Sequence, residues 1–116
     1  MRYRVLADHA GAHGEPIRFE RGESITVERP DTQRPGWWWC SDKRGRSGWV
    51  HESFFEEEDY RFVAREDYDG RELNLRAGES VEVLDVRGGW ALCSNDAGEI
   101  GWAPLTKLAW AADHEP

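Results

Sequence analysis

Apolar and polar positions alternate with a period of two along most of this chain. Ile17 and Phe19 flank Arg18, and Ile25 and Val27 flank Thr26; further on, Leu73 and Leu75 flank Asn74, and Val81 and Val83 flank Glu82. That is the spacing of strands with one buried face. Between the members of each pair lie Glu20-Arg21-Gly22-Glu23 and Arg76-Ala77-Gly78-Glu79, turns with glycine where a positive φ costs least. Tyr3-Arg4-Val5-Leu6-Ala7 and, 57 positions later, Tyr60-Arg61-Phe62-Val63-Ala64 predict an opening strand for each half. Polar, turn-rich loops follow at 9–15 and 66–71.

The same duplication shows in the tryptophans. Gly36-Trp37-Trp38-Trp39-Cys40-Ser41 and Gly45-Arg46-Ser47-Gly48-Trp49 are echoed by Gly89-Trp90-Ala91-Leu92-Cys93-Ser94 and Gly98-Glu99-Ile100-Gly101-Trp102, with eight positions from Trp to Gly in both copies. A match at fixed spacing marks a repeat. Asp42-Lys43-Arg44-Gly45 and Asn95-Asp96-Ala97-Gly98 suit hairpins built on a type I turn. Residues 28–35 are the longer version of a loop that spans 84–88 in the second copy, a change a surface loop tolerates. The expected organisation is a first unit at 1–56, an acidic linker at 57–59, a second unit at 60–110 and a tail at 111–116, with Trp110 as its apolar anchor.

Composition supports two very small units. With 116 residues, 12 Gly, 5 Pro and 7 Trp, the chain favours short strands and turns. Each tryptophan can bury about 150–250 Å², which compensates for a small core. The two cysteines occupy equivalent positions, as a pair of packed side chains would and a mutual disulfide would not. Net charge is −8, with nine basic against eleven acidic residues in 1–58 and six against twelve in 59–116. This acidity argues against general nucleic-acid binding, which needs a basic face; the local exception is the edge Arg29, Arg34, Lys43, Arg44 and Arg46. The chain has no signal-peptide pattern at Met1 and no apolar run of membrane-spanning length, and is read as cytoplasmic.

The Gly-Trp and Gly-x-x-Gly-Trp spacing, with Arg-Ala-Gly-Glu ahead of Val-x-Val, makes each half resemble a Src homology 3 (SH3) domain. The pair resembles the short tandem proteins of bacteria that carry variant SH3 domains. The resemblance implies an all-β fold: two small five-stranded barrels, each with a long loop after its first strand and a short 3₁₀ turn before its last. It also implies a shallow groove that binds extended, proline-rich peptides. Residue by residue, Trp37 and Trp90 match the groove tryptophan, Pro104 and His51 the groove proline, and Phe54 and Lys107 the aromatic of the 3₁₀ turn. The family's Ala-Leu-Tyr-Asp-Tyr corresponds to Val5-Leu6-Ala7-Asp8-His9 and, without gaps from the Gly78 turn, to Arg61-Phe62-Val63-Ala64-Arg65, so both groove tyrosines are replaced in both copies.

On this reading Trp37 and Trp90 project outward as ligand contacts, while Trp49 and Trp102 pack. One of Trp38 and Trp39 lies under the long 28–35 loop. His9 and His51 meet at the groove of the first copy, where imidazoles confer pH dependence; with His13 they make only a weak metal-ligand pattern. Glu66, Asp67, Asp69 and Glu72 lie beside Trp90, and the resemblance implies that such acids select a basic residue on the ligand.

The expected function is a non-catalytic adaptor that binds a peptide or protein surface, for no nucleophile here has an orienting base and an oxyanion site. No cofactor or metal is expected, and the choice between monomer and homodimer is open. The alternatives are a structural tandem whose grooves are occluded by packing or dimerisation, and a polyanion site on the basic edge.

Overall fold

The computed structural model describes residues 1–11 and 14–111. Twelve strands are found among them: β1 (Arg2–Val5), β2 (Arg18–Phe19), β3 (Ser24–Pro30), β4 (Trp37–Ser41), β5 (Ser47–His51), β6 (Phe55–Glu58), β7 (Arg61–Ala64), β8 (Tyr68–Asp69), β9 (Ser80–Arg87), β10 (Trp90–Ser94), β11 (Ile100–Pro104) and β12 (Leu108–Trp110). One-turn 3₁₀ helices at Glu52–Phe54 and Leu105–Lys107 precede β6 and β12. Two five-stranded antiparallel sheets result, with orders β5-β4-β3-β7-β6 and β11-β10-β9-β1-β12, as the all-β expectation required.

The strand orders overturn the sequential division of the chain. β1 pairs with β9 (Tyr3 opposite Val81) and with β12 (Tyr3 opposite Trp110), whereas β7 pairs with β3 (Phe62 opposite Ile25) and with β6 (Phe62 opposite Glu57). Each repeat therefore contributes its first strand to the barrel built from the rest of the other. One compact unit is Met1–His13 with Arg71–Pro116, and the other is Gly14–Gly70. They are called here the Trp90 barrel and the Trp37 barrel.

The cause lies in the stretch expected to be a linker. Glu57 and Glu58 are in β6, Arg61 begins β7, and Glu58 stands opposite Arg61, so Asp59 and Tyr60 form a two-residue hairpin turn. Both have positive φ, 50° and 64°, the signature of a type I′ turn. A hairpin closes locally at small entropic cost. Once β7 has folded back on β6, the edge beside β6 is filled, and β1 takes the equivalent place beside β12.

The β9–β10 turn makes the same connection with Gly88 and Gly89, at φ 54° and 87°. Non-glycine residues in this region cost about 1–3 kcal/mol each, and Tyr60 is fully exposed and packs nothing. Replacing Asp59-Tyr60 by Asn-Gly is expected to raise the stability of the Trp37 barrel by about 1 kcal/mol, read as a higher denaturant midpoint for its tryptophans alone.

The strand pairing also resets the repeat register. Val5 N–H donates to Glu79 O and accepts at its carbonyl from Gly78 N–H, both at 2.8 Å; Ala64 does the same with Glu23 and Gly22 at 2.9 Å. Ala64 is thus the counterpart of Val5, 59 positions on, and Tyr3 corresponds to Phe62 rather than Tyr60. The first loop is longer than its copy, and an ungapped comparison misses this.

The core of the Trp90 barrel comprises Val5, Leu73, Leu75, Val81, Ala91, Cys93, Ala103 and Leu108. In the Trp37 barrel Ile17, Phe19, Ile25, Cys40, Val50, Phe55 and Val63 are buried. Both cysteines are free and buried, as expected. Burial pushes the Cys93 thiol up to about 11, and burial together with the nearby Glu28 pushes Cys40 up to about 12, so neither supplies a thiolate near neutrality. Trp110, expected as an apolar anchor, is 61% exposed on β12. The tail beyond Ala111 lies outside the described residues.

Both β4–β5 and β10–β11 turns have the expected form. Gly45 N–H donates to Asp42 O and Gly98 N–H to Asn95 O, each at 3.0 Å. No helix among the described residues is long and apolar enough to cross a membrane.

Candidate functional site

The exchange of first strands sorts the expected site residues into two sets that the sequence does not suggest. Glu66, Asp67 and Asp69 follow β7 and belong to the barrel of Trp37, His51 and Phe54. His9 follows β1 and belongs to the barrel of Trp90 and Pro104. The expected meeting of His9 and His51 at one groove is therefore corrected, as is the placement of the three acids beside Trp90.

In the Trp37 barrel, Trp37 and His51 are directly opposite on β4 and β5, with rings edge to face at 5.3 Å. His51 also caps the 3₁₀ turn: its Nδ1 accepts from Ser53 N–H at 3.3 Å and lies 2.9 Å from Ser53 Oγ. Phe54, placed by that turn, packs against Tyr68 at 4.6 Å, and Tyr68 packs against Phe19 at 5.3 Å.

Tyr68 is the residue that sequence reasoning missed. It occupies the place of His9, since Tyr68 pairs with Phe19 as His9 pairs with Leu75. With the corrected register, Ala64-Arg65-Glu66-Asp67-Tyr68 matches the family's Ala-Leu-Tyr-Asp-Tyr at the alanine, the aspartate and the second tyrosine. That match was the signal available in the sequence.

The aromatic wall of this barrel is closed: Trp37 is 6% exposed, Phe54 3% and Tyr68 7%. The expectation that Trp37 projects into solvent does not hold. Asp67 has a structural partner, for its Oδ1 accepts from Arg21 N–H at 2.8 Å, as Asp8 Oδ1 does from Ala77 N–H. Each aspartate thus satisfies an amide of the turn ahead of the long strand. Glu66 and Asp69 are exposed.

The basic edge is largely spent on the chain itself. Arg29 lies over the rings of Trp39 and Trp49 at 5.2 and 5.7 Å, and Arg34 over Trp37 and Trp49 at 5.6 and 5.8 Å. Trp39 and Trp49 meet edge to face at 5.1 Å, so Trp39 is the one held under the longer loop. Asp31 braces that loop by accepting from Gln33 N–H and pairing with Arg34 Nε at 2.7 Å. These contacts hold its carboxyl below the ordinary 3.8. Lys43 and Arg46 pair with Glu23 and Asp42.

The Trp90 barrel builds a different wall. Trp90 stands opposite Pro104 on β10 and β11 and is half-buried. His9 meets it edge to face at 5.9 Å, in the place of the tyrosine, and Lys107 holds the place of Phe54. Lys107 Nζ donates to Asp8 O at 2.9 Å and to His9 Nδ1 at 3.3 Å, and His9 Nε2 lies 2.9 Å from Glu72 Oε1. With Nδ1 accepting from the ammonium, Nε2 carries the proton and donates to Glu72. Two aromatic walls are thus replaced by a Lys107–His9–Glu72 chain beside Trp90. Trp102 is buried at 6%, as expected of a packed position.

No group of three or more His, Cys, Asp or Glu side chains that would hold a metal occurs among the described residues. His13 lies outside them.

The profile described as variant SH3 domain matches residues 2–58, and the profile described as SH3 domain matches residues 60–105. A stretch of 52 residues, 44% of the chain, is 36% identical to the RelA-associated inhibitor of Mus musculus, of which it covers 6%. The chain spans only a small part of that relative's length. SH3 domains are protein-interaction modules without catalytic activity of their own. The two profiles meet end to end where the chain doubles back at Asp59-Tyr60, and together with the two five-stranded sheets they place this chain in the SH3 family, as two tandem SH3 domains.

Proposed function

We propose that this protein is a non-catalytic adaptor that holds a peptide or protein segment in the groove of the Trp90 barrel. Trp90 and Pro104 form the apolar floor, and His9, Lys107 and Glu72 form a polar wall in place of the aromatic one. The observation that carries this reading is the contrast between the tryptophans: Trp90 is half-buried, whereas Trp37 is only 6% exposed. Tryptophan is among the residues enriched at binding hot spots, and this one keeps surface for a ligand to cover. The Lys107–His9–Glu72 chain favours a ligand with hydrogen-bonding groups over a run of prolines, since apolar rings laid over it would strip water from its ammonium and carboxylate.

For the Trp37 barrel, closure of Trp37, Phe54 and Tyr68 favours the structural reading, in which the groove aromatics serve packing. Glu66 and Asp69 are where a basic segment would approach it. Arg34, Lys43 and Arg46 pair with Asp31, Glu23 and Asp42, which leaves Arg29 and Arg44 as the charge available to the polyanion reading.

Retention of proteins from a lysate of the source organism on the immobilised chain and on a folded Trp90→Ala variant tests the proposal. A protein held by the parent and lost by Trp90→Ala and by Lys107→Glu is the expected result. Equal retention on all three columns refutes the groove reading.

A further inference from the structure

Of the three consecutive tryptophans on β4, Trp37 and Trp39 each have an arginine over the ring, but Trp38 has neither a ring nor a guanidinium partner among the described residues. Trp38 instead lines a recess of about 480 Å³ in the Trp37 barrel. Val27, Phe55 and Phe62 complete its apolar lining, with the two phenylalanine rings perpendicular at 5.7 Å. Around it stand three exposed carboxylates, Glu52, Glu56 and Glu57. The single cation among the lining residues, Arg65, reaches Glu56 at only 3.9 Å with both side chains more than half exposed, a pairing of little strength. Of the groove residues described above, the recess involves His51 alone.

An apolar, aromatic recess under a net negative rim selects a cation with an apolar stem. Arginine fits better than lysine on two grounds. Its planar guanidinium stacks on an indole while its edge donates to carboxylates, and it is more weakly hydrated than an ammonium. The neighbouring face of the same barrel already uses this pairing, for Arg29 and Arg34 cover the other tryptophans.

We propose that the recess is a second ligand site, distinct from the SH3 groove, which takes an arginine side chain from a basic segment of a partner protein. The guanidinium lies over Trp38 and pairs with Glu56 and Glu57, and the aliphatic stem packs on Phe62 and Val27.

The probe is an acetylated, amidated peptide of four Gly-Arg units, titrated into the full chain while the seven indole N–H resonances are followed. The expected result is a saturable shift of Trp38, leaving Trp90 unmoved. Binding should be about three- to tenfold weaker in Glu56→Gln, Glu57→Gln, whose changes lie on exposed positions of β6 and leave the fold intact. It should also weaken with added salt and vanish for the citrulline peptide, which keeps the shape without the charge. Three results overturn the proposal: an unmoved Trp38, equal affinity of the double glutamine variant, or equal affinity of the matching lysine peptide. Because Trp90 reports the other groove separately, failure here is distinguishable from failure of the adaptor reading.

Discussion

Aspartate at Val5 is expected to unfold the barrel that carries Trp90, Trp102 and Trp110 and to leave folded the one that carries Trp37, Trp38, Trp39 and Trp49. Val5 is 1% exposed, lies in the core with Leu73, Leu75 and Val81, and exchanges backbone hydrogen bonds with Gly78 and Glu79. An unpaired carboxylate there costs about 4 kcal/mol or more. A unit of roughly 60 residues has about 3–9 kcal/mol of stability in all. Ala64→Asp is the reciprocal test. Ala64 is 4% exposed in the Trp37 barrel, held by Gly22 and Glu23, and its replacement should abolish the native signals of Trp37 to Trp49 and spare those of Trp90. Indole N–H resonances assigned to the two groups read both variants. If Val5→Asp instead removes the Trp37 group, the first strands are not exchanged.

The second large effect is expected at Asp42. Its side chain is fully buried in the β4–β5 turn, where it accepts from the backbone N–H of Arg18 at 3.1 Å, Arg44 at 2.9 Å and Arg46 at 3.0 Å, and from Arg46 Nε at 2.7 Å. Asp42→Ala leaves three amides and a part-buried guanidinium without their acceptor, at a cost of about 3–5 kcal/mol to the Trp37 barrel. Asn95, the counterpart in the Trp90 barrel, does the turn-holding part with a neutral amide. Its Oδ1 accepts from Ala97 and Glu99 N–H at 3.0 and 2.9 Å. Asp42→Asn should therefore cost less than half as much as Asp42→Ala.

The pH dependence of the Trp37 barrel follows from the same carboxylate. Burial alone would raise its pKa, but the hydrogen bonds from Arg18, Arg46 and Arg44 hold it below the ordinary 3.8. A carboxyl lowered in the folded state contributes stability that is fully present above 3.8 and lost as pH falls through its folded value. Acid titration of the denaturant midpoint should show this loss in the parent, below pH about 3.8, and a smaller one in Asp42→Asn.

Some of the site was legible in residue spacing and some was not. The resemblance put Trp37 with His51 and Trp90 with Pro104 at groove positions, and the strand register sets each pair directly opposite on neighbouring strands. Tyr68 was hidden by the unequal loops after β1 and β7, although Asp67-Tyr68 spelt out part of the family motif. The closure of Trp37 could not be read at all. Residue type gives a tryptophan's preference for burial, whereas exposure depends on what the rest of the chain lays over it. For the same reason, the sequence could not show that two arginines of the basic edge, Arg29 and Arg34, lie over Trp37, Trp39 and Trp49.

The sequence by itself determined the class of fold, the number of barrels, the turns at Gly22 and Gly78, the two hairpins ending at Gly45 and Gly98, and the packing of both cysteines. The strands and turns rest on local periodicity and on backbone conformations that few residues adopt, the barrels on the SH3 resemblance, and the cysteines on their equivalent places in the repeat. The tertiary structure alone decided which barrel each first strand completes, and with it which residues share a groove. β1 and β7 are both four residues long, so length does not assign either to a barrel. The connection favours the observed choice: a two-residue turn at Asp59-Tyr60 returns β7 onto β6, and closing that hairpin costs less chain entropy than bringing together strands about fifty residues apart.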